Sequence, residues 1–567
     1  MSRISAPNRI APSLVLHGGQ VITLEPGQPR ADAIAILGTR IFAVGAAEEL
    51  LSLCGPDTRV IDLRGRTVVP GLIDNHTHYL LAGLDSPEVG VRVNIAHARS
   101  IAELVGQIEH KIESAQPGEW VITSCMYRGP LAEGRFPNRH DLDPVSPDNP
   151  VYIFQSGKNI IVNSAALRLA GIDHGTPDPV EPEGHIVKDS DGSPTGHLIA
   201  GAADLARSRW WQREGLPPKM WDFPYYDQET LIRALEAQGS IYLSCGIVGV
   251  RDMGLAPHEL RAYQAAHEQH RLPLRVDAVL GIPARFLPTE EVERRLDQYF
   301  GPGPGFGDNW LRIGGLKLVV QNDGWWAYSP GKLRRIVAAA NKAGWKLAFH
   351  VASGHAPEAV EAVLSALEAA DRQVPIRGRH FSYEHGLGLT SPEHIARASS
   401  LGLVVAANPL LSYFGAGRTV NMHQAIRTTR ITKTLPSDPQ QSAVADWGLP
   451  LRTWHDSGLL VTGGTDNPAV VYDPGHPLRG LQVAVTGQTL AGVLKHGEQV
   501  SRMEALRMWT INNAVALDQG QDRGSLRAGK LADLVVLSGN FEECSDNELD
   551  DLVVDMTVIA GTVAFER

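Results

Sequence analysis

The stretch Thr67-Val-Val-Pro-Gly-Leu-Ile-Asp-Asn-His76-Thr-His78 decides how this 567-residue chain is read. An apolar, β-branched run leaves through a polar Asp-Asn pair and then presents two histidines two positions apart. Side chains at i and i+2 of an extended strand point the same way, so both imidazoles can reach one metal ion. With 21 histidines in the chain, a lone His-x-His pair arises easily by chance. Placement after a buried strand, with further single histidines at the ends of similar strands downstream, turns the pair into a metal-site signal. The expectation is a metal-dependent hydrolase.

Outward from that strand the sequence has a rhythm. Short apolar runs alternate with helix-like segments, as in parallel βα units. The candidate strands are 68–73, 246–251, 274–280, 311–319, 345–349, 380–383, 403–406 and 459–462, and helix-like segments such as 229–240, 331–343 and 357–370 separate most of them. Eight strands with helices between them predict an α/β fold, a (β/α)8 TIM barrel, with the chemistry at the C-terminal ends of the strands. Residues 67–519 would form this barrel. Residues 14–66 read instead as short strands between closely spaced glycines and prolines, as do Asp533-Leu-Val-Val-Leu, Val558-Ile-Ala-Gly and Thr562-Val-Ala-Phe. Residues 1–66 plus 520–567 are therefore expected to build one small composite β-sandwich domain. The interval of about 90–225 after barrel strand 1 is too long for one helix and predicts a large inserted subdomain that lids the barrel mouth.

Composition narrows the function. The chain is 43% hydrophobic and 20% charged, ordinary for a protein with a sizeable core. A net charge of −11 and a pI near 6.0 argue against a nucleic-acid or anionic-membrane partner. Cys54, Cys125, Cys245 and Cys544 are scattered, with no Cys-x-x-Cys pair, so neither a disulfide framework nor a structural zinc knot is indicated. The first residues, Met1-Ser-Arg-Ile-Ser-Ala-Pro-Asn-Arg, lack the apolar stretch of a signal peptide, and no run approaches the roughly 18 to 20 apolar residues of a membrane span. A cytoplasmic enzyme with a small-molecule substrate is expected, and a homodimer is the default assembly.

Four more positions join the histidine pair. Lys317 lies in the fourth strand, His350 ends the fifth, His385 ends the sixth, and Asp466 follows the eighth in Leu459-Leu-Val-Thr-Gly-Gly-Thr-Asp. A single histidine at a strand end is more often structural; several on matching strand ends share one mouth. Imidazole and carboxylate are zinc ligands, and a catalytic site keeps a position open for water. Lys317 has two readings. Protonated, it has no lone pair for a metal and would pair with an acid such as Asp323. Deprotonated, it can add carbon dioxide to form a carbamate, an anionic ligand able to bridge two ions. Trp325, Trp326 and Tyr328 follow the strand of Lys317 and are candidates for an aromatic substrate wall, although core packing explains them equally well. Tyr127 and Arg128, in the insertion, are further candidate substrate contacts.

These residues resemble the amidohydrolase superfamily, in its N-substituted formamide deformylase-like (YtcJ-like) branch. The similarity extends over nearly the whole chain. It includes Val69-Pro-Gly-Leu-Ile-Asp-Asn-His-Thr-His, Asn163-Ser-Ala-Ala-Leu, Gly246-Ile-Val-Gly-Val with Asp252, Leu316-Lys-Leu with Asp323-Gly324, Glu384-His385, Gly463-Gly-Thr-Asp, Trp509-Thr-Ile-Asn-Asn-Ala and Gly524-Ser-Leu-Arg-Ala-Gly-Lys-Leu-Ala-Asp-Leu-Val-Val-Leu. The resemblance implies one or two Zn2+ ions. His76, His78 and Asp466 would hold the more buried one, His350 and His385 the second, and carboxylated Lys317 would bridge them. It implies hydrolysis of a C–N bond in an amide, N-substituted formamide or cyclic amide, with Asp466 as catalytic proton shuttle. The chain departs from the pattern at Ser353-Gly354-His355, where Gly-Asp is common, and at the aromatic loop after Lys317. The same site could also serve an ester or lactone, a deamination or a decarboxylation. A non-catalytic scaffold of this fold would be expected to lose ligands, and all six positions are filled here.

Overall fold

The computed structural model describes residues 11–95, 97–125, 131–155, 159–219, 224–298, 303–322, 324–352, 357–413, 448–468, 477–489, 492–494 and 497–567. Eight parallel strands form the central sheet. They are β1 (Leu72–Thr77), β2 (Ile247–Leu255), β3 (Arg275–Gly281), β4 (Leu311–Asn322), β5 (Leu347–Ala352), β6 (Ser382–His385), β7 (Val404–Ala407) and β8 (Leu460–Gly463). Each pairs with the next in sequence order, and Trp325–Trp326 adds a short antiparallel strand to β4. The strands are nearly continuous apolar runs because helices cover one face and the barrel interior the other. The main core joins side chains of these strands, such as Leu316, Leu318 and Phe349, to those of helices, such as Leu235, Ile336 and Val363. This is the TIM barrel.

Strands from both ends of the chain share a second, eight-stranded sheet. Its order is Thr562–Glu566, Val554–Ile559, Leu534–Leu537, Thr67–Pro70, Leu14–Ile22, Arg30–Leu37 and Arg40–Gly45, with Arg59–Asp62 also pairing with Leu14–Ile22. The run 68–73 read as one strand is therefore two. Thr67–Pro70 pairs antiparallel with Leu534–Leu537 in the small sheet, and β1 begins at Leu72. The chain crosses between sheets at Gly71, where a Cβ would lie 2.5 Å from a methyl carbon of Val248. Only glycine lets the backbone pass so close.

Between β1 and β2 lies a five-stranded sheet built from Val121–Cys125, Val151–Phe154, Asn159–Val162, Gly184–Lys188 and Pro194–Ala200. Helix α1 (Gly201–Arg213) packs on one face of it, with Trp210 and Trp211 buried against Tyr152 and Phe154. This unit meets the loops that leave the C-terminal ends of β3 and β4. Glu183 N donates to Trp326 O at 3.0 Å, Ile199 and Ala200 pack against Trp325, and buried Arg285 reaches Asp204 of α1 at 2.9 Å. No helix among the described residues is long and apolar enough to cross a membrane.

Candidate metal centre

Several of the residues picked out in the sequence converge at the C-terminal end of the barrel. His76 is the penultimate residue of β1, and His78 is the residue before the next helix. Asp466 lies just beyond β8. One ligand atom each of His76, His78 and Asp466 lies within 4.8 Å of the other two, and among the described residues this is the one such cluster of three metal-binding side chains. Asp466 Oδ1 is 3.5 Å from His76 Nε2 and 3.4 Å from His78 Nε2.

The other nitrogen of each imidazole is already engaged. His76 Nδ1 lies 2.5 Å from Glu384 Oε2, and His78 Nδ1 lies 3.0 Å from the Met253 carbonyl. Both partners are acceptors, so each Nδ1 carries the proton and each Nε2 turns a lone pair toward Asp466. Burial, reinforced by neighbouring Lys317, pushes His76 down to about 3, so it is neutral at physiological pH. Three acceptors thus face one point; Lys317 Nζ stands 3.3 Å from His76 Nε2, but Asp466 Oδ1 is buried without a hydrogen-bond partner. Such a constellation is costly unless a cation sits within it. The donor set suits a divalent metal, with carboxylate and carbonyl supports behind the imidazoles as metal-bound histidines usually have.

Lys317 is fully buried on β4, with Nζ 3.3 Å from His76 Nε2. Desolvation lowers it to about 8, although Glu384 and Asp466 oppose the shift, so its neutral amine is accessible near neutral pH. His385 Nε2 lies 2.7 Å from His350 Nδ1, and its own Nδ1 lies 3.0 Å from Asn408 Oδ1 and 3.8 Å from Asp466 Oδ2. Burial pushes His385 to about 3 as well. The His385 ring centroid is 4.5 Å from that of His76 and from that of His350.

The backbone contributes to this convergence. His385 and Asp466 both have φ in the left-handed region, at +67° and +56°. Such conformations cost non-glycine residues about 1–3 kcal/mol and cluster at functional sites. At Asp466 the compensation is visible. Its N–H donates to His76 O at 2.7 Å, and the preceding Thr465 donates from N and Oγ1 to Asp74 at 3.0 and 2.6 Å. Net hydrogen-bond contributions of about 0.5–1.5 kcal/mol each are enough to offset the strain. Gly464 is needed here, because a Cβ would lie 2.8 Å from the backbone nitrogen of His76.

Glu384, Arg251 and Asn408 belong to the site although the sequence had given them no role. Arg251 Nη1 donates to Glu384 Oε1 at 3.0 Å. Against the opposing effect of burial, Arg251, His76 and Lys317 hold the Glu384 carboxyl well below the usual carboxylate range. The sequence signal was the Glu-His pair itself, but strict strand alternation sends neighbours to opposite faces. The left-handed turn at His385 brings both inward.

The proposed aromatic wall divides. Trp325 is half-buried and touches the inserted unit, Trp326 is half-buried against the main core, and Tyr328 lies within that core at 1% exposure. Tyr127, Arg128, Asp323 and Ser353–His355 lie outside the described residues.

Comparison with known proteins agrees with this architecture. The model of the Amidohydrolase family matches residues 59–565. The chain is 30% identical over 580 residues to N-substituted formamide deformylase of Arthrobacter pascens, covering 98% of each chain. It is 27% identical over 575 residues to the putative amidohydrolase YtcJ of Bacillus subtilis, covering 98% of this chain and 99% of that one. An uncharacterized metal-dependent hydrolase from Pyrococcus furiosus superposes with a TM-score of 0.64 at 21% identity, over 93% of this chain and 99% of that chain. The chain belongs to the amidohydrolase family, in the branch that holds the formamide deformylase and YtcJ. It is an enzyme, a hydrolase acting on carbon–nitrogen bonds other than peptide bonds.

Proposed function

We propose that this enzyme is a metal-dependent amidohydrolase that cleaves the C–N bond of a small amide, N-substituted formamide or cyclic amide at the site around His76. The observation that carries the reading is the convergence of His76 Nε2, His78 Nε2 and Asp466 Oδ1 on one point, with the Nδ1 of each imidazole held by an acceptor behind it. His76, His78 and Asp466 would hold a divalent ion such as zinc. Lys317, His350 and His385 line the adjoining position for a second one, with Lys317 contributing as a carbamate. Bound there, the metal would supply an acidified water with a pKa near about 7 and a polarised substrate carbonyl.

The protein's own part is orientation and proton transfer. Glu384 and the Met253 carbonyl keep both imidazoles in the Nδ1-protonated tautomer, which leaves Nε2 free to ligate. Asp466 takes the proton as water oxygen adds to the substrate carbonyl carbon. It returns that proton to the leaving nitrogen as the C–N bond breaks, giving an acid and an amine. Trp325, between the metal-bearing strand β4 and the inserted unit, would form one wall of the substrate pocket. Loss of metal from a His76→Ala/His78→Ala variant, together with turnover by wild type of a panel of N-substituted formamides, cyclic amides and esters, tests the reading. Full metal content in the double variant, or turnover of esters alone, would refute it.

A further inference from the structure

The barrel has a seam, and the candidate metal centre lies across it. Ladder pairing runs from β1 through β8, yet among the described residues no ladder joins β8 back to β1. His76 and His78 stand on one side of that gap and Asp466 on the other. Something other than sheet pairing must hold the two sides in register.

Past the strand ends, Asp466 N donates to His76 O at 2.7 Å, His78 N to Asn467 O at 2.8 Å, and Thr465 to Asp74; within the strands themselves the role falls to the segment Trp509-Thr-Ile-Asn-Asn-Ala. Trp509 O accepts from Ile73 N of β1 at 2.7 Å. Asn513, in helix α2 (Ile511–Ala516), is completely buried. Its Nδ2 donates to Ile73 O of β1 at 2.5 Å and to Gly463 O of β8 at 2.9 Å, while Gly463 N donates to its Oδ1 at 3.2 Å. One amide thus bonds both edge strands, using both of its protons and its oxygen, as a rung of backbone would. A smaller rung lies above it, where Asn75 Nδ2 donates to Thr462 Oγ1 at 2.8 Å.

We propose that Asn513 is a positioning residue for the metal centre: it replaces the missing ladder between β8 and β1 and thereby, together with the Asp466–His76 and His78–Asn467 backbone bonds, sets the separation of Asp466 from His76 and His78. The inference rests on the metal reading above. Metal ligands must be held to within about 0.5 Å of productive geometry by the groups behind them. Asp466 is three residues beyond Gly463, and His76 three beyond Ile73, so a shift at the Asn513 rung passes to both ligands through short, stiff segments. No side chain other than an amide at this position can give two protons and accept one.

The test is a thermodynamic cycle read by zinc affinity in chelator competition, with Asn513→Ala made in the wild-type and the Asp466→Ala backgrounds. In the wild-type background, zinc affinity should fall about 10- to 100-fold, the usual cost of removing a supporting group. With Asp466→Ala, no ligand remains on the β8 side, and Asn513→Ala should change affinity little. Equal losses in both backgrounds would show a general packing defect and overturn the inference, as would unchanged affinity in the wild-type background. If Asn513→Ala does not fold, Thr462→Val, nearly the same size, removes the upper rung and should lower affinity a few-fold in the wild-type background alone; no change there would overturn the inference. Wild-type protein that takes up no divalent ion at all would overturn the metal reading first, and this inference with it.

Discussion

Glu384 Oε2 and His76 Nδ1 meet at 2.5 Å in the barrel interior, 308 residues apart in sequence. The contact fixes the tautomer of His76, and Arg251 behind the carboxylate fixes the charge of Glu384. Replacing Glu384 with Gln should leave an acceptor in reach but remove the negative charge. Zinc affinity is expected to fall about 10- to 100-fold with the barrel still folded. Unchanged affinity in chelator competition would show that the carboxylate is not needed behind His76.

The ligand pair itself is tested by His76→Ala/His78→Ala. Barrel packing does not depend on either imidazole, so far-UV circular dichroism should be retained while metal and activity are lost together. Elemental analysis of the purified protein reads the result directly.

Lys317 should behave as a bridging group. Lys317→Ala is expected to abolish most activity, and short-chain carboxylates such as acetate or propionate should restore part of it by standing in for the carbamate. An anomalous-scattering structure of the wild type should show density beyond Nζ between two metal peaks. A bare amine beside a single metal would assign the site one ion.

Asp466→Asn keeps one ligating oxygen and the side-chain shape but cannot carry a proton. Metal should be retained while kcat falls by about 100- to 10,000-fold, the usual contribution of general acid–base catalysis. Near-wild-type turnover by this variant would place the proton transfer elsewhere.

A pH effect on stability is expected away from the site. Arg452 grips both oxygens of Glu504 at 3.0 and 2.7 Å, and this hydrogen bonding lowers the carboxyl to about 2 from an ordinary value of 4.5. Because the folded value is the lower one, the stabilisation is complete above about pH 4.5 and fades as pH falls toward 2. Glu504→Gln should cost about 1 kcal/mol at pH 7, typical of a partly exposed pair. The gap between its melting temperature and that of the wild type should narrow steadily as pH falls from about 4.5 toward 2; a constant gap would point to lost helix capping instead.

The barrel was legible because each of its strands is an apolar run bounded by helix-like segments, and that local pattern survives in the fold. Its first strand was read too early because Thr67-Val-Val-Pro and Leu72-Ile form one apolar run, and nothing in hydrophobicity marks the change of sheet at Gly71. His76, His78 and Asp466 could be found because strand ends in a barrel share a mouth. Glu384, Asp74 and Asn513 could not be assigned roles in the same way. Their partners lie hundreds of residues off, at separations of 308 for Glu384, 391 for Asp74 and 440 for Asn513, and their value lies wholly in that closure.

The inserted unit touches the barrel through Glu183, Ile199, Ala200 and Asp204 at the loops after β3 and β4, and its core also packs against Leu81, three residues after His78. Substitutions in this stretch are therefore felt first at the loops above the barrel and at the helix that follows His78, so the insertion and the imidazole-bearing strand are mechanically linked.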